Sequence, residues 1–141
     1  MNKDKLKGKL FFFLVDSKEL DTLDEWVEYL DAIVHGPCLI LEKDNELQLI
    51  ENPFITKAQV AIVRGMRVEI YSKEHPPPHF HVLSPTIDAS FRIDNCTLLN
   101  GEVTKDEHKK IRYWHKQAKP MLIEKWNLMR PTDCVAGLYR E

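Results

Sequence analysis

No apolar stretch in this 141-residue sequence is long enough to cross a bilayer. The longest, Leu10–Val15, also lacks the small-residue cleavage site of a signal peptide. Cysteine is scarce: Cys38, Cys96 and Cys134 are odd in number and far apart, which indicates free thiols and no disulfide framework. We therefore expect a cytoplasmic protein that does not contact a membrane.

The signatures of several enzyme classes are missing as well. The sequence has no glycine-rich phosphate-binding loop, no serine in a G-x-S-x-G elbow and no C-x-x-C pair. These absences argue against nucleotide hydrolysis by a P-loop, serine hydrolase chemistry and thioredoxin-like redox chemistry.

The net charge of −2 conceals an uneven distribution of charge. Residues 1–57 hold seven Lys/Arg and twelve Asp/Glu, a net charge of −5, whereas residues 104–130 hold eight and three, a net charge of +5. Two interpretations remain open. The C-terminal part contacts a polyanion, or the two oppositely charged parts attract each other within one fold.

Residues 1–57 are predicted to form an N-terminal β-α-β-β unit. Thr22 and Glu25 form a capping box, and the apolar residues that follow repeat with helical spacing up to Gly36. A turn at Asp44-Asn45 joins two of the strands into a hairpin. The predicted strands are Leu10–Val15, Cys38–Lys43 and Glu46–Ile50.

Residues 58–141 are predicted to form a second unit of strands followed by a long helix. Asn100-Gly101 is expected to end the sheet region, and a capping box of Thr104 and Glu107 starts the helix. Together the two units predict an α+β fold, an antiparallel sheet with two main helices, the C-terminal one long and packed on the sheet. The predicted strands are Val60–Val63, Met66–Tyr71, His79–Leu83 and Thr86–Ile93.

Three histidines within seven residues form the densest group of chemically active side chains. His75 is separated from His79 and His81 by three prolines, which make a stiff connector. The residues after the prolines read as a strand, in which period-two alternation places His79 and His81 on one face. If the protein catalyses a reaction, we expect it to occur here.

The next strand is expected to place polar partners beside these histidines. A loop centred on Ser84-Pro85 would pair His81 with Asp88 and His79 with Ser90, because apolar residues then meet apolar residues on the other face. Arg92 lies on the same predicted face as Asp88. A carboxylate beside a histidine can fix its tautomer and orientation.

With these residues in view, the sequence resembles the bacterial family catalogued as domain of unknown function 4160. The histidine-proline core is the specific part of the resemblance. The residues that carry it are Val68–Ser72, Glu74–Val82, Asp88-Ala89, Trp114 and Trp126.

The resemblance covers about residues 58–130 and leaves residues 1–57 outside. Members of that family are often encoded beside a small partner protein, in an arrangement like a toxin–antitoxin pair. The resemblance therefore implies a toxin-like role and a small, antitoxin-like protein partner.

Three interpretations of the histidine cluster remain open. His75, His79 and His81 could hold a divalent metal such as zinc, with Glu74 or Asp88 nearby. Without a metal, the histidines could act as acid and base on RNA, with Arg92 stabilising the phosphate charge. The cluster could also be purely structural.

A basic stripe on the last helix is the second candidate site. Its residues repeat at helical spacing and could bind the phosphates of a nucleic acid; the alternatives are a solvated face or a dock for acidic residues. The leading hypothesis is a toxin-like protein that acts on RNA or another nucleic acid. The opposing one is a non-enzymatic protein-binding or regulatory module. The stripe consists of Lys109, Arg112, Lys116 and Lys119.

Overall fold

The fold is described from a computed structural model over residues 17–35, 38–51, 65–70 and 77–128. It confirms the predicted α+β class. The predicted strands Leu10–Val15 and Val60–Val63 lie outside these residues. In chain order the elements are a 3₁₀ turn (Ser17–Glu19), α1 (Leu23–His35), β1 (Cys38–Lys43), β2 (Glu46–Glu51), β3 (Arg67–Glu69), β4 (His79–Leu83), β5 (Asp88–Arg92), β6 (Leu98–Glu102) and α2 (Lys105–Leu128).

Both helices begin at the predicted capping boxes. At α1 the Thr22 hydroxyl accepts a hydrogen bond from the Glu25 amide (3.2 Å), and the Glu25 carboxylate accepts one from the Thr22 amide (3.2 Å). The same reciprocal pair joins Thr104 and Glu107 at the start of α2, at 3.0 and 2.9 Å. Each pair satisfies amide groups that have no partner within the helix, which is why the helices start there.

Strands β1 and β2 form the predicted hairpin. Asp44 and Asn45 both have positive φ, 53° and 66°, as a two-residue type I′ turn requires. Ile40 points into the core and is 4% exposed. The other face of the hairpin exposes three large apolar side chains, those of Leu39, Leu41 and Ile50.

Strands β3 to β6 form a second, antiparallel sheet in the order β3-β4-β5-β6. The sheet ends at Glu102, one residue after the expected Asn100-Gly101, but both of these residues lie within β6, a strand that was not predicted. Gly101 pairs with Ala89 at a φ of 86°, and a Cβ there would lie 2.1 Å from the Asp88 carbonyl oxygen. Glycine is thus needed for the close approach of β6 to β5 and not for a turn.

Helix α2 packs against both the four-stranded sheet and α1. The Trp114 ring lies 6.0 Å from Phe80 of β4 and 6.4 Å from Trp26 of α1, and its indole N–H donates to the Trp26 carbonyl (2.8 Å). Trp126 is fully buried nearer the end of α2. The predicted units 1–57 and 58–141 contribute side chains to the same hydrophobic core.

Two histidines of α2 hold the turn between β5 and β6. The Nε2 atom of His108 is hydrogen-bonded to the Cys96 carbonyl oxygen (2.9 Å), and that of His115 to the Ile93 carbonyl oxygen. The ring of His115 stacks on Phe80, and burial lowers its pKa below the ordinary value of 6.5. These histidines are structural residues that fix the end of β5.

Candidate functional site

Strand β4 places His79 and His81 on one face of the sheet, as the alternation predicts. Phe80 and Val82 point to the other face and are fully buried beneath α2. The two imidazole rings lie with their centroids 5.2 Å apart. His79 is buried and His81 is half-buried, so the pair spans the boundary between core and surface.

The predicted pairing between β4 and β5 is wrong by two residues. His81 lies opposite Ser90, and His79 lies opposite Arg92. Asp88 lies opposite Leu83, which makes it a diagonal neighbour of His81 and not its direct partner. The faces are nevertheless as predicted, because a shift of two residues does not change which side chains share a face.

The loop between β4 and β5 sets this register. It holds four residues between the strands, and the Ser84 and Ile87 backbones close it with hydrogen bonds of 2.8 and 3.3 Å. The Ser84 hydroxyl also accepts from the amides of Thr86 (3.2 Å) and Ile87 (3.0 Å). These bonds place a tight turn at Pro85-Thr86, one residue later than the turn at Ser84-Pro85 that was expected from the sequence.

A glutamate does lie directly across from His81, but on the other neighbouring strand. Glu69 of β3 pairs with His81, and the Glu69 carboxylate also contacts the Arg67 guanidinium at 3.1 Å. The position that the sequence analysis gave to Asp88 is therefore taken by Glu69. The alternation of residues in β3 could have predicted the face on which Glu69 lies. It could not have predicted that β3 pairs with β4.

Hydrogen bonding fixes the proton position on His79. Its Nδ1 lies 2.7 Å from the Pro77 carbonyl oxygen, which can only accept, so Nδ1 carries the proton. In the neutral ring Nε2 is then the basic nitrogen. The Trp126 ring packs against His79 at 5.8 Å and holds its orientation. His79 is thus prepared to act as a base or a metal ligand through Nε2.

A shallow, open cleft of about 340 Å³ lies beside His81. Asp88 and Ser90 of β5 line it, together with Asn100 and Gly101 of β6. The contribution of β6 was not predicted, because Asn100-Gly101 is a dipeptide typical of turns. The cleft gathers carboxylate, hydroxyl, amide and imidazole groups within one small concave surface.

Arg92 is engaged with a residue that the sequence analysis did not single out. Its guanidinium donates two hydrogen bonds to the Asp94 carboxylate, at 2.8 and 2.7 Å. The Arg92 hydrogen bond and charge hold the pKa of the Asp94 carboxyl below its usual range. The sequence predicted that Arg92 stabilises a substrate charge. To do so, Arg92 must either donate to Asp94 and the substrate at once or give up its hydrogen bonds to Asp94.

The basic stripe follows one side of α2. Arg112 donates to the Glu42 carboxylate of β1 at 3.0 Å, and this contact lowers the pKa of the Glu42 carboxyl. At this point the stripe contacts the acidic N-terminal part of the same chain. Lys116 is exposed, while Lys109 and Lys119 are half-buried. Binding of nucleic acid by the stripe stays a prediction.

The predicted metal site depends on residues beyond those described. His75 and Glu74 lie outside the described residues. Among residues 17–35, 38–51, 65–70 and 77–128, no three His, Cys, Asp or Glu side chains are grouped to hold a metal ion. His79, with its Nδ1 proton directed to a carbonyl, has the orientation of a metal ligand. The three-histidine metal site therefore stays a prediction.

Comparison with protein families confirms the predicted resemblance. Residues 65–127 match the family model described as domain of unknown function (DUF4160), and this segment contains His79, His81, both strands beside them and most of α2. No curated protein and no solved structure matches the chain. No helix in the described part of the chain is long and apolar enough to cross a membrane.

Proposed function

We propose that the His79–His81 face cleaves RNA by acid–base catalysis, and that the protein is a toxin-like component of a bacterial toxin–antitoxin type module. The observation that carries this proposal is the contact between two imidazoles on one sheet face, one of them with its proton position fixed. A small protein partner restrains the activity, and the setting is the cytoplasm.

The proposed reaction uses the two histidines in different roles. Nε2 of His79 accepts the proton of a ribose 2′-hydroxyl, and the 2′-oxygen attacks the adjacent phosphorus. His81, in its protonated form, donates a proton to the departing 5′-oxygen. The P–O5′ bond breaks, which yields a 2′,3′-cyclic phosphate and a 5′-hydroxyl. Glu69, directly across from His81, is the positioning residue that orients the acid.

The test is cleavage of a fluorogenic oligoribonucleotide by purified wild type, His79→Gln and His81→Gln. Removing a general acid or base costs about 10²–10⁴-fold in rate, so each variant should lose at least about 100-fold. Glutamine keeps polar atoms near the original positions but cannot transfer protons near neutral pH. Glu124→Gln, a change at an exposed residue of α2, serves as the control and should cleave like wild type.

The products and the growth phenotype sharpen this test. Mass spectrometry should detect the cyclic phosphate, and a 2′-deoxy substrate should resist cleavage. Expression of wild type should halt bacterial growth, whereas the two glutamine variants should not. A folded wild type that cleaves no RNA, or glutamine variants as active as wild type, would contradict the proposal.

A second candidate function, a non-enzymatic protein-binding module, is favoured by the outer face of the β1–β2 hairpin. Leu39, Leu41 and Ile50 are 41%, 49% and 38% exposed there, and a contiguous exposed apolar surface is typical of protein interfaces. The small partner protein is the proposed occupant. Leu41→Thr should weaken a complex with the co-expressed partner, whereas Gln48→Thr on the same face should not. If growth arrest never occurs but this difference is found, the binding-module hypothesis is supported.

A further inference from the structure

The Arg92–Asp94 pair lies where the histidine face meets the basic side of α2. Arg92 is directly opposite His79 in the β4–β5 pairing, so the two side chains leave the same face of the sheet. Asp94 follows in the turn that leads to β6. The positive charge of Lys119, which belongs to the basic stripe, also favours the ionised form of Asp94 and lowers its pKa. One carboxylate thus lies in the field of two cations from different elements.

A phosphate group could replace the Asp94 carboxylate and accept the same two hydrogen bonds from Arg92. The Arg92 Nε and one terminal nitrogen donate in parallel to the two oxygens of Asp94. A guanidinium binds two phosphate oxygens with the same fork, and a phosphodiester has the same single negative charge as a carboxylate. The side chains of Arg92 and Asp94 are 36% and 38% exposed, so a polymer can reach them.

We propose that Arg92 binds one backbone phosphate of the RNA substrate, and that Asp94 occupies this position when no RNA is present. The inference rests on the proposed function, since it names the contact that directs the strand toward His79. Asp94 is then an internal competitor of the substrate. Arg92 is then paired with one negative charge in both states: the Asp94 carboxylate before RNA binds, and a phosphodiester afterwards.

The experiment measures binding separately from cleavage. The probe is a fluorescent 2′-O-methyl oligoribonucleotide, which has no free 2′-hydroxyl and cannot be cut by the proposed reaction. Its affinity is measured by fluorescence anisotropy at several salt concentrations for wild type and Asp94→Asn. Asparagine still accepts the hydrogen bond that the Asn95 amide donates to Asp94 (2.7 Å), so the turn is preserved.

Asp106→Asn is the matched control. Asp106 is also paired with a cation, Lys110 (3.3 Å), and its replacement removes the same negative charge at the start of α2. Asp94→Asn should bind the probe at least about threefold more tightly than Asp106→Asn at low salt. Its affinity should also depend more steeply on salt, with a logarithmic slope larger by about 0.7, because the phosphate no longer has to displace a carboxylate from Arg92.

Arg92→Gln decides whether the effect acts through the guanidinium. In an Arg92→Gln background, Asp94→Asn should give no more gain than Asp106→Asn. Equal gains in the two aspartate variants, a gain that persists without Arg92, or no binding by either wild type or Asp94→Asn would overturn the inference. If the expected pattern is found but natural RNA is not cleaved, the proposed reaction fails while the phosphate site stands.

Discussion

Gly101→Ala tests whether the close contact between β5 and β6 requires a residue without a Cβ. The added Cβ would lie 2.1 Å from the Asp88 carbonyl oxygen and 2.8 Å from the Ala89 Cα, both of them backbone atoms that cannot rotate away. Since Cβ atoms do not approach other atoms within 3.0 Å, the strands must separate by about 0.9 Å. That movement would increase the separation of β5 and β6 in the part of the cleft beside Ser90.

The expected loss of stability has three contributions. A positive φ costs an alanine about 1–2 kcal/mol, and the loss of backbone freedom in the unfolded chain returns about 0.4–1 kcal/mol. Overpacking against rigid backbone adds about 1–3 kcal/mol. The free energy of unfolding of Gly101→Ala should therefore fall by about 2–4 kcal/mol.

Gly65→Ala is the matched control for this variant. Gly65 also has a positive φ, 102°, but the nearest atom to an added Cβ is a Pro85 side-chain carbon at 3.5 Å, an ordinary contact. Gly65→Ala should thus lose only about 1 kcal/mol, the part that comes from φ. Urea denaturation followed by tryptophan fluorescence measures both variants. Equal losses of stability in the two would refute the proposed role of the close strand contact.

Three further predictions follow from buried groups. Trp114→Phe should destabilise the fold by about 2 kcal/mol, because it leaves a cavity and deprives the Trp26 carbonyl of its donor; an unchanged midpoint in urea would contradict this. Wild-type stability should fall as the pH drops below about 6.5, because the unfolded state binds a proton that the buried His115 resists, and His115→Gln should flatten this dependence between pH 7 and pH 5. Burial raises the pKa of the Cys96 thiol and shields it from reagents. A Cys38→Ser/Cys134→Ser variant, in which Cys96 is the one remaining thiol, should therefore react with Ellman's reagent at pH 8 only after unfolding. Rapid reaction of the folded variant would show that Cys96 is accessible.

Local sequence patterns sufficed where the physical cause is itself local. The hydroxyls of Thr22 and Thr104 each accept a hydrogen bond from the amide of the glutamate three residues later, so the helix starts were predictable. Asp44-Asn45 specified its turn because both residues tolerate positive φ. The same kind of reasoning missed strand β6, because Gly101 allows close contact between two strands and forms no turn.

The alternation of β4 and β5 determined by itself that His79 and His81 share a face with Ser90 and Arg92. It did not determine which residues meet, because a pattern of period two is unchanged when one strand slides by two residues. Tertiary structure decided the rest. The loop that Ser84 closes set the register, β3 brought Glu69 beside His81, and the turn after β5 gave Arg92 its partner. These contacts depend on where separate segments meet in space, which composition and periodicity do not encode.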